Sequence, residues 1–118
     1  MQLKENPTPY MGEVRTKVRL LNIADASAVA EGRLSPERVR MVEADALVDT
    51  DAIRSCVPAS LMEKLGIKPY NQMTVELADG RKSTVGIADG VRFEIMERSS
   101  GDGALILGDE VQIGRAHV

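Results

Sequence analysis

The stretch Ala46-Leu47-Val48-Asp49-Thr50-Asp51-Ala52 decides how this chain is read. An apolar run carries the backbone into an Asp-Thr pair, and a small residue follows shortly after. Apolar residues directly before an acid predict a buried strand whose end opens to present one carboxylate. Carboxylates are seldom set at a buried strand end unless they are paired, bind a metal or do chemistry. Asp49 is therefore the first candidate for a functional residue.

The whole chain bounds what that carboxylate can serve. Its 118 residues suit a single domain with one core. Charged residues make up 28% and apolar ones 43%, the balance of an ordinary globular protein. A net charge of −3 and the lack of any long Lys/Arg cluster offer no basic surface, so no nucleic-acid partner is expected. No run approaches the ~20 apolar residues of a membrane helix, so no membrane partner is expected either. The polar, proline-bearing start, Met1 to Tyr10, does not read as a signal peptide. The single cysteine, Cys56, excludes an internal disulfide framework, and a cytoplasmic location is the expectation. Aromatic residues are limited to Tyr10, Tyr70 and Phe93, so stacking platforms for bases or sugars are not expected.

Outward from Asp49, the pattern is mostly that of strands. Val14, Thr16, Val18 and Leu20 alternate with Arg15, Lys17 and Arg19, the period of a strand with one solvated face. Asn22 to Pro36 reads as a loop with a helical turn around Ala26–Glu31. Arg38 to Asp49 is the second strand region, with Val42, Ala44, Ala46 and Val48 on one face. A short helix is predicted from Pro58 to Leu65, with proline in its first turn, Gly66 as its stop, and Leu61 and Leu65 as its buried stripe. Beyond Asn71 the chain reads as strands and turns, with Asp79-Gly80 and Asp89-Gly90 as tight turns and Ser99 to Gly103 as a loop. Ala104 to Leu107 is a fully apolar strand. Six or seven short strands with one short helix predict an all-β barrel or sandwich.

These pieces, in this order, resemble the retropepsin-like aspartic proteases, in particular the small single-lobed bacterial and archaeal members. The resemblance rests on Ala46-Leu47-Val48-Asp49-Thr50-x-Ala52, Val57-Pro58, and the short helix ending Leu65-Gly66-Ile67. It extends to the opening Met11-Gly12-Glu13-Val14, the hairpin Leu77-Ala78-Asp79-Gly80-Arg81 and the run Ala104-Leu105-Ile106-Leu107-Gly108. It implies an acid-protease half-barrel that becomes an enzyme only as a homodimer, acting on a peptide or protein substrate without cofactor or metal. Each subunit supplies one aspartate, here Asp49, and the pair shares a proton because two adjacent carboxylates do not both ionise easily. Thr50, Asp51 and Ala52 would form the supporting loop, and Asp79-Gly80 the flap over the substrate.

Two departures from the family pattern stand out. The family has Asp-Thr/Ser-Gly-Ala/Ser, whereas Asp51 stands in the glycine place. Glycine there allows close approach of backbone, and an aspartate adds bulk and a second carboxylate per subunit. At ~4 Å and an effective dielectric constant of ~20, each like-charge pair costs about 4 kcal/mol before screening. The alternative reading is thus a catalytically impaired dimerisation or peptide-binding module of the same fold. The second departure is the end. Ile113-Gly114-Arg115-Ala116-His117-Val118 is what a common sequencing adapter encodes in one reading frame. The expected organisation is a leader over 1–11, a retropepsin-like domain over 12–112, incomplete at its C-terminus, and a non-native tail over 113–118.

Other chemistries fit less well. Asp45, Asp49 and Asp51 share a side only along a continuous strand, and a bend is expected at Thr50, so no metal site is predicted. Asp-x-Asp after an apolar strand also resembles the start of haloacid-dehalogenase-type phosphotransferases. That fold alternates strands with helices, and this chain is nearly all β after Gly66. Cys56 has no histidine within residues 1–112 to activate it and reads as buried filler.

Overall fold

The computed structural model describes residues 14–49, 54–77, 79–95 and 98–115, with 98–102 described by backbone alone. Strands dominate: β1 (Val14–Asn22), β2 (Met41–Val48), β3 (Cys56–Val57), β4 (Asn71–Glu76), β5 (Lys82–Ile95), β6 (Arg98–Ile106) and β7 (Val111–Ile113). Two α-helices, α1 (Ile23–Ala30) and α2 (Ala59–Leu65), and a 3-10 turn at Pro36–Arg38 complete the described elements. The expected all-β class holds, with a second helix added to it.

The strands form one sheet in the order β1-β2-β7-β3-β6-β5-β4, and β1 also pairs with β5. That extra pairing closes β1, β2, β7, β3, β6 and β5 into a ring, which leaves β4 as an arm on the edge of β5. β5 serves both parts. Its first half, Lys82–Ile87, pairs with β4, and its second half, Val91–Glu94, pairs with β1. The switch falls at a bulge between Ala88 and Val91, where Gly90 takes φ +89°. Asp89-Gly90 is therefore a bulge within one 14-residue strand and not the expected turn. The same left-handed glycine serves either geometry, since a G1 bulge and a tight turn both require positive φ. Ser99 to Gly103 likewise belongs to β6, with Ser99 opposite Glu94 and Asp102 opposite Val91, and is not a loop.

Alternation along β1 and β2 builds the core as expected. Val18, Leu20 and Ala46 are buried and pack with Val57, Phe93 and Ile113. Arg15, Lys17 and Arg19 face solvent and meet acids: Arg15–Glu110, in the turn before β7, at 2.9 Å, and on neighbouring strands Lys17 Nζ–Asp45 at 3.0 Å, Arg19–Glu43 at 3.3 Å and Arg19–Glu94 at 3.6 Å. Each such exposed pair contributes at most ~1 kcal/mol, so the ladder helps select register more than it stabilises.

The helices are fixed by their ends. Asn22 Oδ1 accepts the N–H of Asp25 at 3.0 Å, which caps α1, and Gly32 follows the helix with φ +76°. The region read as a loop is thus a capped eight-residue helix. Asn22 also donates through Nδ2 to the carbonyl of Leu65 at 2.7 Å, joining the start of α1 to the end of α2. α2 stops at Gly66, φ +70°, with Gly66 N–H on Glu63 O and Ile67 N–H on Met62 O, both at 3.0 Å. This is the paired bonding of a Schellman stop. Its buried residues are Met62 and Leu65, with Leu61 only partly covered, so the stripe runs three apart instead of the expected four. Among the described residues no helix is long and apolar enough to cross a membrane.

Candidate active site

β2 delivers Asp49. The strand becomes progressively more buried toward its end, Ala46 being fully covered, and Asp49 is the first residue beyond it. Its side chain is half-buried. β7 runs parallel to β2 with Val48 opposite Ile113, and the N–H of Asp49 donates to Ile113 O at 2.9 Å. On its other edge β7 pairs antiparallel with β3, Cys56 opposite Gln112. β7 therefore lies between the strand that ends at Asp49 and the strand that begins at Cys56.

The two ends of the intervening segment are tied to one peptide group. Ile113 C=O receives Asp49 N–H, and the N–H of the same peptide, on Gly114, donates to Ser55 Oγ at 2.9 Å. Ser55 is fully buried. A side chain at 114 would place Cβ 2.5 Å from the carbonyl carbon and oxygen of Arg54, so glycine is what permits this contact. Thr50, Asp51 and Ala52, the expected supporting loop, lie outside the described residues, as does Ala78.

Cys56 connects this floor to an apolar wall. Val85, Ile87 and Leu105 are buried together, with Cys56, Met73, Val75 and Leu107 half-covered around them. Burial pushes the Cys56 thiol up from its ordinary value, and the negative charge of Asp49 adds to that. The thiol is thus kept protonated, which suits an apolar lining group and opposes a nucleophilic role. The Asp49 charge thus reaches Cys56, which packs at the edge of the wall. Among the described residues, no three His, Cys, Asp or Glu side chains are placed to hold a metal ion.

The β4–β5 hairpin continues from that wall. Leu77 N–H donates to Arg81 O at 2.7 Å and Gly80 N–H to Leu77 O at 2.9 Å, with Gly80 at φ +86°. The Asp79 carboxylate accepts Arg81 N–H at 3.0 Å and Arg81 Nε at 2.6 Å. Asp79 and Gly80 sit at an exposed tip, as expected of a turn. A separate open groove lies between α2 and the row Gln72, Gly86 and Ile106. Strand alternation puts Gly86 on the face of β5 opposite Val85 and Ile87, so that groove is apart from Asp49.

Asp49 stands just past β2 and Asp79-Gly80 at a hairpin tip, whereas the Ile113–Gly114 peptide, Ser55 and the Asp79–Arg81 contact were not expected. The last had a signal, an acid two residues before an arginine across a glycine. A buried serine and a backbone clamp leave none.

Among solved structures, the chain is similar to the solution structure of Simian Foamy Virus (mac) protease. The identity is 14%, over 87% of this chain and 89% of that chain, with a TM-score of 0.53. No family model matches the sequence, and no curated protein matches it. The likeness is one of fold, and the fold is the all-β, retropepsin-like one.

Proposed function

We propose that this chain is an aspartic endopeptidase that works as a homodimer and hydrolyses peptide bonds with an aspartate-activated water. The observation that carries this reading is the placing of Asp49. It stands just past the end of β2, clamped through its N–H to Ile113, and its charge reaches Cys56, which packs against the apolar wall. One chain supplies one such carboxylate, and two are needed to act as acid and base together.

In the dimer the two Asp49 side chains share a proton. The ionised one takes a proton from water as the water oxygen bonds to the scissile carbonyl carbon. The protonated one gives its proton to the carbonyl oxygen. Collapse of the resulting diol breaks the C–N bond, with the amine leaving protonated. Thr50 holds the loop across the dimer axis, the hairpin tip at Asp79 and Gly80 covers the bound chain, and the wall receives apolar side chains.

One residue favours a second reading, a non-catalytic dimerisation or peptide-binding module. Asp51 occupies the place where the resembled family has glycine, bringing two further carboxylates toward the dimer axis. The test is cleavage of an unstructured protein at mildly acidic pH by wild type, Asp49→Asn and Asp51→Gly, with activity followed against protein concentration. The endopeptidase reading expects cleavage that depends on dimerisation and is lost in Asp49→Asn. Retained cleavage in Asp49→Asn overturns it. Cleavage only in Asp51→Gly supports the second reading.

A further inference from the structure

We infer that Arg81 is a positioning residue, holding the β4–β5 hairpin tip in the form that receives a peptide. The inference deepens the endopeptidase reading and rests on it for what the tip receives. Among the described residues, the tip is exposed and little packed. A Cβ built on Gly80 meets nothing within 4 Å, and the Arg81 and Asp79 side chains are 76% and 53% exposed. What shapes it is a short set of hydrogen bonds. Two are backbone contacts between Leu77 and the residues Gly80 and Arg81. The others converge on one carboxylate: Asp79 takes the Arg81 N–H on one oxygen and the Arg81 Nε on the other. The guanidinium thus closes a two-point ring across the turn, directly above the opposed pair Glu76 and Lys82.

An exposed ion pair changes a local equilibrium modestly, by roughly 2- to 5-fold. At an exposed tip, that factor falls on the ratio of ordered to open molecules. Apparent affinity for a ligand that needs the ordered form falls by at most the same factor. The chemical step proceeds from the ordered, bound state and is unaffected. Loss of the guanidinium therefore raises KM and leaves kcat unchanged.

The experiment compares wild type, Arg81→Ala, Arg81→Lys and Asp79→Asn by amide hydrogen exchange and by peptide cleavage. In Arg81→Ala, exchange at Gly80 is expected to quicken by up to roughly 5-fold, with α2 amides unchanged and KM raised by a smaller factor. Asp79→Asn keeps an acceptor for the Arg81 N–H and loses the charge, so it shows part of the effect, and Arg81→Lys recovers part. Unchanged exchange at Gly80, or a fall in kcat at constant KM, overturns the inference. If wild type cleaves nothing, the endopeptidase reading fails, and the exchange measurements alone decide whether Arg81 holds the tip.

Discussion

The N–H of Asp49 donates to the carbonyl oxygen of Ile113 at 2.9 Å. Because the N–H of that same peptide group is donated to Ser55, a single planar unit fixes both the start and the end of the segment that follows Asp49. A peptide group is rigid, so the two attachments cannot drift independently. This gives the half-buried carboxylate a fixed origin through its own backbone. It also sets a requirement on positions 113 and 114 that depends on backbone alone: a carbonyl, an N–H, and no Cβ at 114.

Gly114→Ala should therefore be costly. The added Cβ would lie 2.5 Å from Arg54 carbonyl atoms and 2.9 Å from Ser55 N, all of them backbone and none able to rotate away. The strands must separate, breaking the Gly114–Ser55 bond as well. Overpacking with a lost buried hydrogen bond costs about 2–4 kcal/mol. The fall in urea midpoint at constant slope measures it. Ser55→Ala, which leaves the Gly114 N–H buried without this acceptor, should cost about 1–3 kcal/mol by the same measurement.

Asn22 offers a different kind of test because one side chain serves two helices. Its Oδ1 caps α1 and its Nδ2 donates to Leu65 O at 2.7 Å, in a site only 5% exposed. Asn22→Ala loses both, for about 2–4 kcal/mol. Asn22→Asp keeps the cap acceptor but turns a carboxylate oxygen toward the Leu65 carbonyl. It should restore little of the stability, and Asn22→Ser, able to cap α1, should restore only the capping share. Chemical denaturation of the three variants separates the two contributions.

The same residue explains where sequence reading worked and where it did not. β1, β2 and α2 carry alternating or spaced apolar residues because each faces the core, so their pattern was visible. α1 has no fully buried residue, so no apolar stripe marks it. Its signals were the caps, Asn22 and Gly32, which are weaker than periodicity. The place of Asp49 just past a strand was legible because an acid after an apolar run is conspicuous. The clamp from Ile113 and Gly114 was not, since backbone bonds between segments some sixty residues apart leave no mark on side-chain pattern.

Gly90 tests whether the bulge, and not a turn, sits at 89–90. At φ +89° with open space around its Cα, substitution by alanine meets no neighbour and costs only the left-handed backbone, about 1–2 kcal/mol. Gly90→Asn should cost less. Neither should alter the pairings of β5 with β4 or β1. Deleting Asp89 removes the extra residue instead, which regularises the ladder while Ala88 and Val91 keep Ala104 and Asp102 as partners. Phe93, fully buried in the core, would then keep its face and its place opposite Ser100. Cooperative unfolding retained in both the deletion and Gly90→Ala is the expected pair of results, and its loss in the deletion would mean that 89–90 is a turn.

The Asp25–Arg40 contact predicts an acid-side dependence of stability. Asp25 Oδ2 accepts from Arg40 Nε at 2.8 Å and from the Arg40 N–H at 3.0 Å. The hydrogen bond from the Arg40 side chain is the main reason that the Asp25 carboxyl falls from its ordinary value to about 2, with the backbone bond adding to it. A carboxyl depressed in the folded state binds its proton more readily when unfolded. The stability it contributes is therefore fully present above the unfolded value near 4 and is lost as pH falls through about 2. Arg40→Ala should return the Asp25 midpoint toward the ordinary carboxylate range, followed by the carboxyl carbon shift in an NMR titration. It should also flatten the part of the stability–pH curve between those two values. A wild-type Asp25 midpoint near 4 would mean that the guanidinium does not hold this carboxylate in solution.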